Sequence, residues 1–127
     1  MKANELMIGD KVVVKVLSQL PSTYVLHTWT TNDYSRDIQV KPIPLTPEIL
    51  EKNGWKETEY WHEYKDGNTI IQYSLSNIWG IINEIEIEHF KCEYVHQYQH
   101  LLRLCGLDEL ADNLKIYEKK KSYYQSN

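Results

Sequence analysis

The hydrophobic positions of the first half fall in short clusters separated by polar turns. Residues 8–17 enclose the β-branched run Val12-Val13-Val14-Lys15-Val16, which predicts a first strand. Thr23 to Thr30, with Tyr24, Val25, Leu26 and Trp29, predicts a second. Asn32-Asp33 is a turn signal, and Asp37-Ile38-Gln39-Val40 a short third strand. Short strands at this density suggest a small antiparallel sheet or an open SH3-like barrel. Lys41-Pro42-Ile43-Pro44-Leu45 must run extended, because each proline biases its predecessor away from helix. Thr46-Pro47-Glu48 then carries the signals of a helix start: a capping hydroxyl, a proline in the first turn and an acid at the positive end of the dipole. Asn53-Gly54 stops it after about two turns, with Ile49 and Leu50 on its buried side.

The second half begins a new β pattern at Trp55. Glu59 to Tyr64 is aromatic-rich, Lys65-Asp66-Gly67-Asn68 is a hairpin turn, and Thr69 to Leu75 returns as its partner. Ser76-Asn77 turns again, Ile78 to Ile82 follows, and the chain turns near Asn83. Glu84-Ile85-Glu86-Ile87-Glu88 alternates strictly, which places the isoleucines on one face and the glutamates on the other. Tyr98, Leu101, Leu102 and Cys105 then share one face of a helix over 94–105 that Gly106 terminates. Leu107, Leu110 and Leu114 mark a shorter second helix with Asp108 as its cap. Residues 115–127, with Lys119-Lys120-Lys121, lose the apolar pattern and read as a flexible solvated tail.

The fold class is therefore α+β. A small N-terminal antiparallel, barrel-like (SH3-like) sheet spans 1–45, a connecting helix 46–54, and a second antiparallel sheet with C-terminal helices 55–114. A chain of 127 residues with 42% hydrophobic and 25% charged residues buries enough surface to fold without metal or disulfide. Ten tyrosines and four tryptophans against one phenylalanine suit half-buried sheets and binding surfaces. Two cysteines, Cys92 and Cys105, are too few for a disulfide scaffold, and no apolar stretch approaches a membrane span. A cytoplasmic protein without membrane association is expected. Net charge is −4 overall, and the excess lies in residues 55–93, which carry three basic and eight acidic groups. That region would repel a phosphate backbone, so nucleic acid is a possible partner that charge does not favour.

Two stretches carry a resemblance. One is Lys41-Pro42-Ile43-Pro44-Leu45-Thr46-Pro47-Glu48-Ile49-Leu50-Glu51-Lys52-Asn53-Gly54-Trp55. The other is Tyr94-Val95-His96-Gln97-Tyr98-Gln99-His100-Leu101-Leu102-Arg103-Leu104-Cys105-Gly106. Together they resemble a family of small uncharacterised bacterial proteins often carried on prophages and other mobile elements of gut bacteria. The resemblance covers roughly residues 1–107 and implies a small accessory protein, non-enzymatic, with no catalytic residue to transfer.

The residues themselves offer few chemical constellations. His96 and His100 are four apart on a helix and can face one metal, but Gln97 stands where a zinc-protease motif needs a glutamate base. His89 and Cys92 would join the same stripe only if the helix began near residue 88, and the strand alternation through Glu88 opposes that. Two histidines are too few ligands for a closed zinc site, so no metal and no cofactor is expected. Cys105, in the last helical turn on the apolar stripe, reads as a buried structural thiol. Glu84, Glu86 and Glu88, and likewise Glu57, Glu59 and Glu63, read as solvent-facing acids. Trp55, Tyr60, Trp61, Tyr64 and Tyr73 form the densest aromatic group. Exposed, they would make a partner-binding patch; buried, they would fill the second sheet's core. Trp61 and Tyr64 fall on opposite strand faces. The candidate partner surface comprises Trp61, Tyr64, His96 and His100. The expected function is a non-catalytic protein-interaction module with an unknown protein partner. A nucleic-acid-binding accessory protein is the alternative, and a metal-dependent enzyme centred on His96 and His100 the third reading.

Overall fold

The computed structural model describes residues 5–17, 23–35 and 37–116. Among these the chain forms two antiparallel sheets, of three and five strands, with three α-helices. In the first sheet β1 (Lys11–Val16) lies between β2 (Val25–Thr28) and β3 (Ile38–Lys41). Val12 and Val14 point to a small core with Leu6 and Trp29, while Val13 packs against the main core on the opposite face. A strand covered on both faces needs apolar side chains at successive positions, which explains the unbroken valine run. The sheet is open: β2 and β3 are its edges. A 3₁₀ turn over Thr31–Ser35 follows β2, held by Asp33 Oδ2, which accepts from Thr30 N at 2.8 Å and meets His27 Nε2 at 2.7 Å.

Helix α1 (Pro47–Lys52) starts where the sequence places it, with Thr46 Oγ1 accepting from Ile49 N, and Ile49 and Leu50 are its buried residues. The second sheet is a meander in sequence order: β4 (Lys56–Glu57), β5 (His62–Asp66), β6 (Thr69–Ser74), β7 (Asn77–Ile82) and β8 (Ile85–Lys91). The β6–β7 and β7–β8 turns use Leu75-Ser76 and Asn83-Glu84, each pair at positive φ, as two-residue hairpins whose twist matches the strands require. β8 runs past the isoleucine–glutamate alternation. An irregularity between Ile78 and Gly80 of β7 shifts its register and sets Phe90 opposite Ile78.

Helix α2 (Val95–Leu104) covers the inner face of this sheet, and α3 (Asp108–Asp112) packs beside it. Glu93 N and Tyr94 N both donate to Gln97 Oε1, which closes the first turn. The main core joins Leu50, Trp55, Ile71, Tyr73, Ile78 and Ile82 to Tyr98, Leu101, Leu102 and Cys105. Trp55 donates its Nε1–H to the buried Tyr98 hydroxyl at 3.3 Å. The expected tail, 115–127, lies outside the described residues except for Lys115 and Ile116. Those two are held: Asn53 accepts from Lys115 N and donates to Lys115 O, and Ile116 is buried in the core. Among the described residues no helix is long and apolar enough to cross a membrane.

Candidate functional site

The pairing register of the meander determines what its outer face presents. His62, Tyr64, Ile71, Tyr73, Ile78 and Ile82 alternate inward. The residues between them form rows on the solvent side. Lys65, Ile70, Ile81 and Glu86 are successive cross-strand partners in one row. Glu63, Gln72 and Trp79 make the next, and Ser74, Asn77 and Lys91 the third. Trp61, just before β5, turns to the same side and meets Trp79 edge-on at 6.0 Å between ring centroids, and Tyr60 lies 6.2 Å from Trp61.

The apolar groups of this face are open to solvent. Tyr60 is 73% exposed, Ile70 and Ile81 43% each, and Trp61 36%. Trp61 donates to Glu63 Oε1 at 3.4 Å, and Glu63 also pairs with Lys65 Nζ at 3.0 Å. The Lys65 ammonium first and then the Trp61 N–H hold the Glu63 carboxyl below its ordinary pKa. An exposed and a partly buried indole and two exposed isoleucines thus share this face with Glu63, Lys65, Glu86 and Lys91, and Tyr60 lies beside Trp61.

Tyr64 is placed on the other face. Its ring lies 5.8 Å from Trp55, and burial followed by the nearby Asp66 raises its hydroxyl pKa. It lines a cleft of about 520 Å³ with Asp66, Asn83, Leu107, Glu109 and Leu110. The aromatic group is therefore divided: Trp55 and Tyr73 are core, Tyr64 is half-buried, and Tyr60 and Trp61 are exposed. Trp79 joins Trp61 on the solvent side, and the alternation of β5 to β7 is the signal that finds it; Tyr60, ahead of β5, is exposed beside Trp61 without that signal.

His96 and His100 lie on α2, inside the sheet rather than on its solvent face, and belong to a buried polar clamp. Asp10, fully buried, accepts from Met7 N at 2.8 Å and from Arg103 Nη1 at 2.7 Å, and its Oδ2 lies 2.6 Å from His100 Nε2. Arg103 also reaches Asp112 Oδ1 at 3.2 Å. Beside it the buried Gln99 is fully used: its Oε1 accepts from Lys11 N, and its Nε2 donates to Gly9 O and Ala111 O. Burial alone would raise the Asp10 carboxyl. The hydrogen bonds from His100, Met7 and Arg103 outweigh it and hold the pKa below the ordinary 3.8. These contacts tie α2 to the chain entering β1, so the face of α2 that is not apolar is also structural.

His96 is 5% exposed, stacked on Tyr94 with centroids 5.9 Å apart and edge-on to His100 at 5.5 Å; its Nδ1 is buried without a hydrogen-bond partner among the described residues. Burial, with His100 adding to it, lowers the His96 pKa below 6.5 against the opposing pull of Asp10 and Glu5. The imidazole is thus kept neutral in the fold and charges more readily in the unfolded chain. Stability from His96 is complete above about pH 6.5 and falls as the pH drops through that value. We expect the urea midpoint to fall between about pH 7.5 and about pH 5, and His96→Phe to flatten this leg. An unchanged pH slope in His96→Phe would rule the assignment out.

Among the described residues no hydroxyl or thiol hydrogen-bonds the ring of His96 or His100. Burial pushes the Cys92 thiol up to about 12 and raises Cys105 as well, so neither is poised as a thiolate. His89 sits on β8, because α2 begins at Val95, and does not extend a ligand stripe. Among the described residues, the group of three ligand side chains close enough to share a metal is Glu51, Glu57 and His62, away from the two α2 histidines.

No family model, no curated protein and no solved structure matches the chain.

Proposed function

We propose that the protein is a non-catalytic interaction module whose working surface is the solvent face of the five-stranded sheet. Its occupant is a protein segment with an apolar centre and basic flanks. The observation that carries this reading is the edge-to-face contact of the exposed Trp61 with the partly buried Trp79, beside the exposed Ile70–Ile81 pair. Large aromatics on a rigid support lose little conformational entropy on docking and supply most of the energy of a contact. The charge of residues 55–93, with eight acids against three bases, selects a basic surround. In this reading the N-terminal sheet, SH3-like in kind, is a buttress held by the Asp10 clamp. The setting we infer, a cytoplasmic accessory protein of a phage or mobile element, rests on the two sequence stretches around Pro47 and His96.

The test is capture of partners from host lysate with the wild-type protein and with Trp61→Ala, each with and without nuclease. The expected result is a stoichiometric basic protein that survives nuclease and is lost from Trp61→Ala, with affinity reduced by about 2 kcal/mol, roughly 30-fold. The urea midpoint of the variant should be unchanged within about 0.5 kcal/mol, because Trp61 lies outside both cores. Retention of the same partner by Trp61→Ala would overturn the reading. Recovery of nucleic acid, with proteins lost on nuclease treatment, would replace it with the nucleic-acid alternative.

A further inference from the structure

We propose that Glu51, Glu57 and His62 form a binding site for a divalent transition-metal cation of the zinc class. Three elements bring the ligands together. Glu51 is in the last turn of α1, and the β4–β5 register sets Glu57 directly opposite His62. One ligand atom from each lies within 4.8 Å of the others. His62 Nε2 and Glu51 Oε2 are 3.1 Å apart. In a tetrahedral site with bonds of about 2.0–2.2 Å, neighbouring ligand atoms stand roughly 3.4 Å apart. The Glu51–His62 spacing therefore already suits a shared cation, and rotation of the exposed Glu57 side chain closes the third side.

Burial and charge point the same way. The His62 side chain is 13% exposed and therefore held in place, while that of Glu51 is 50% exposed and free to adjust. Two carboxylates converge on one imidazole. Among the described residues Glu51 has no ion-pair partner but His62, and no lysine or arginine pairs with Glu57. A dication would neutralise the two carboxylates, and it would take the place of the direct contact between imidazole and carboxylate. A cleft of about 240 Å³ opens beside Glu57 and His62, with Ser74 and Tyr60 in its wall. It leaves a fourth coordination position for water. One nitrogen and two carboxylate oxygens with an open position suit zinc and its first-row neighbours; calcium takes six to eight oxygens and magnesium keeps most of its water. The same cleft is lined by Tyr60 and Trp61, so the site adjoins the interaction face, but Glu51, Glu57 and His62 are not part of that face.

The experiment is calorimetric titration of the full-length, tag-free protein with zinc chloride, paired with visible absorption on adding cobalt(II). We expect saturable binding of one ion per chain, and a cobalt spectrum of low coordination number. Glu57→Gln and His62→Gln should each weaken zinc at least about tenfold, and Glu59→Gln, a neighbouring exposed acid, should not. Magnesium in excess should not displace zinc. If His62→Gln fails to fold by circular dichroism, Glu57→Gln carries the test, because Glu57 is exposed and lies outside both cores. No saturable binding, or equal zinc affinity in wild type and Glu57→Gln, would overturn the site. So would binding that is abolished by His96→Phe and retained by Glu57→Gln.

Discussion

Gly80→Ala is expected to lose more than about 4 kcal/mol of stability, a large share of the roughly 5–15 kcal/mol available to a domain. A Cβ at Gly80 would stand 2.3 Å from the carbonyl oxygen of Ile70 and 2.8 Å from the Ile71 Cα. Both are backbone atoms of the neighbouring strand, so no side-chain rotation relieves the contact. The φ of +129° is also one that residues with a Cβ rarely adopt. Gly80 pairs with Ile71 on one side and Ile87 on the other, in the centre of the meander. Relief therefore requires β6 and β7 to separate, which breaks the ladder that carries both the core row and the solvent row. Gly67→Ala is the control. Its φ is +60°, but its Cβ would meet nothing within 4 Å, so it carries only the conformational penalty of about 1–2 kcal/mol. Urea unfolding followed by circular dichroism distinguishes the two. A Gly80→Ala midpoint equal to that of Gly67→Ala would show that the strands can part without penalty.

Asp10→Ala is expected to destabilise the protein by about 3–5 kcal/mol. The mechanism is the loss of a buried anion that two groups of α2 and one backbone N–H all address. Arg103, with a side chain 11% exposed, would keep only Asp112 as a charged partner among the described residues. The test of that mechanism is a double-mutant cycle. In an Arg103→Met background the Asp10→Ala penalty should shrink by at least about 1 kcal/mol, because the stranded cation is gone. Equal penalties in both backgrounds would assign the effect to the Met7–Asp10 turn or the His100 contact instead. The pH dependence has a definite sign. The carboxyl is held below 3.8 in the fold, so its contribution is complete above that value and is lost as the pH falls through the lower, folded pKa. Wild type should therefore lose stability in strong acid more steeply than Asp10→Ala.

Local chemistry was enough to read several elements. Thr46, Pro47 and Glu48 start a helix because capping, fixed φ and dipole act within one turn, and α1 begins there. Tyr98, Leu101, Leu102 and Cys105 share a face for reasons of helical period, and all four are buried. Asp66-Gly67 turns a hairpin, and the isoleucine–glutamate alternation marks the β8 edge. The opposite orientation of Trp61 and Tyr64 follows from the two-residue period of a strand. A pattern of this kind, however, does not say which face meets the core. Tyr64 is half-buried against Trp55, and Trp61 stands out with Trp79, because α2 covers one side of the sheet and not the other.

What the sequence by itself determined was the α+β class, the positions of its helices and most of its strands, and the apolar stripe of α2. These depend on interactions within a few residues, or on a periodicity that any covering layer would select. Only the tertiary structure decided the rest. Asp10 and His100 are 90 residues apart, and Glu51 and His62 are 11 apart across a helix–sheet boundary. No spacing rule links such pairs, because their approach is set by how whole elements pack. The same holds for His96 and His100, whose spacing on the helix suggested a shared surface or a metal. Packing instead buried His96 against Tyr94 and turned His100 onto Asp10, since the chain leading into β1 crosses that face of α2 and needs its hydrogen bonds satisfied there.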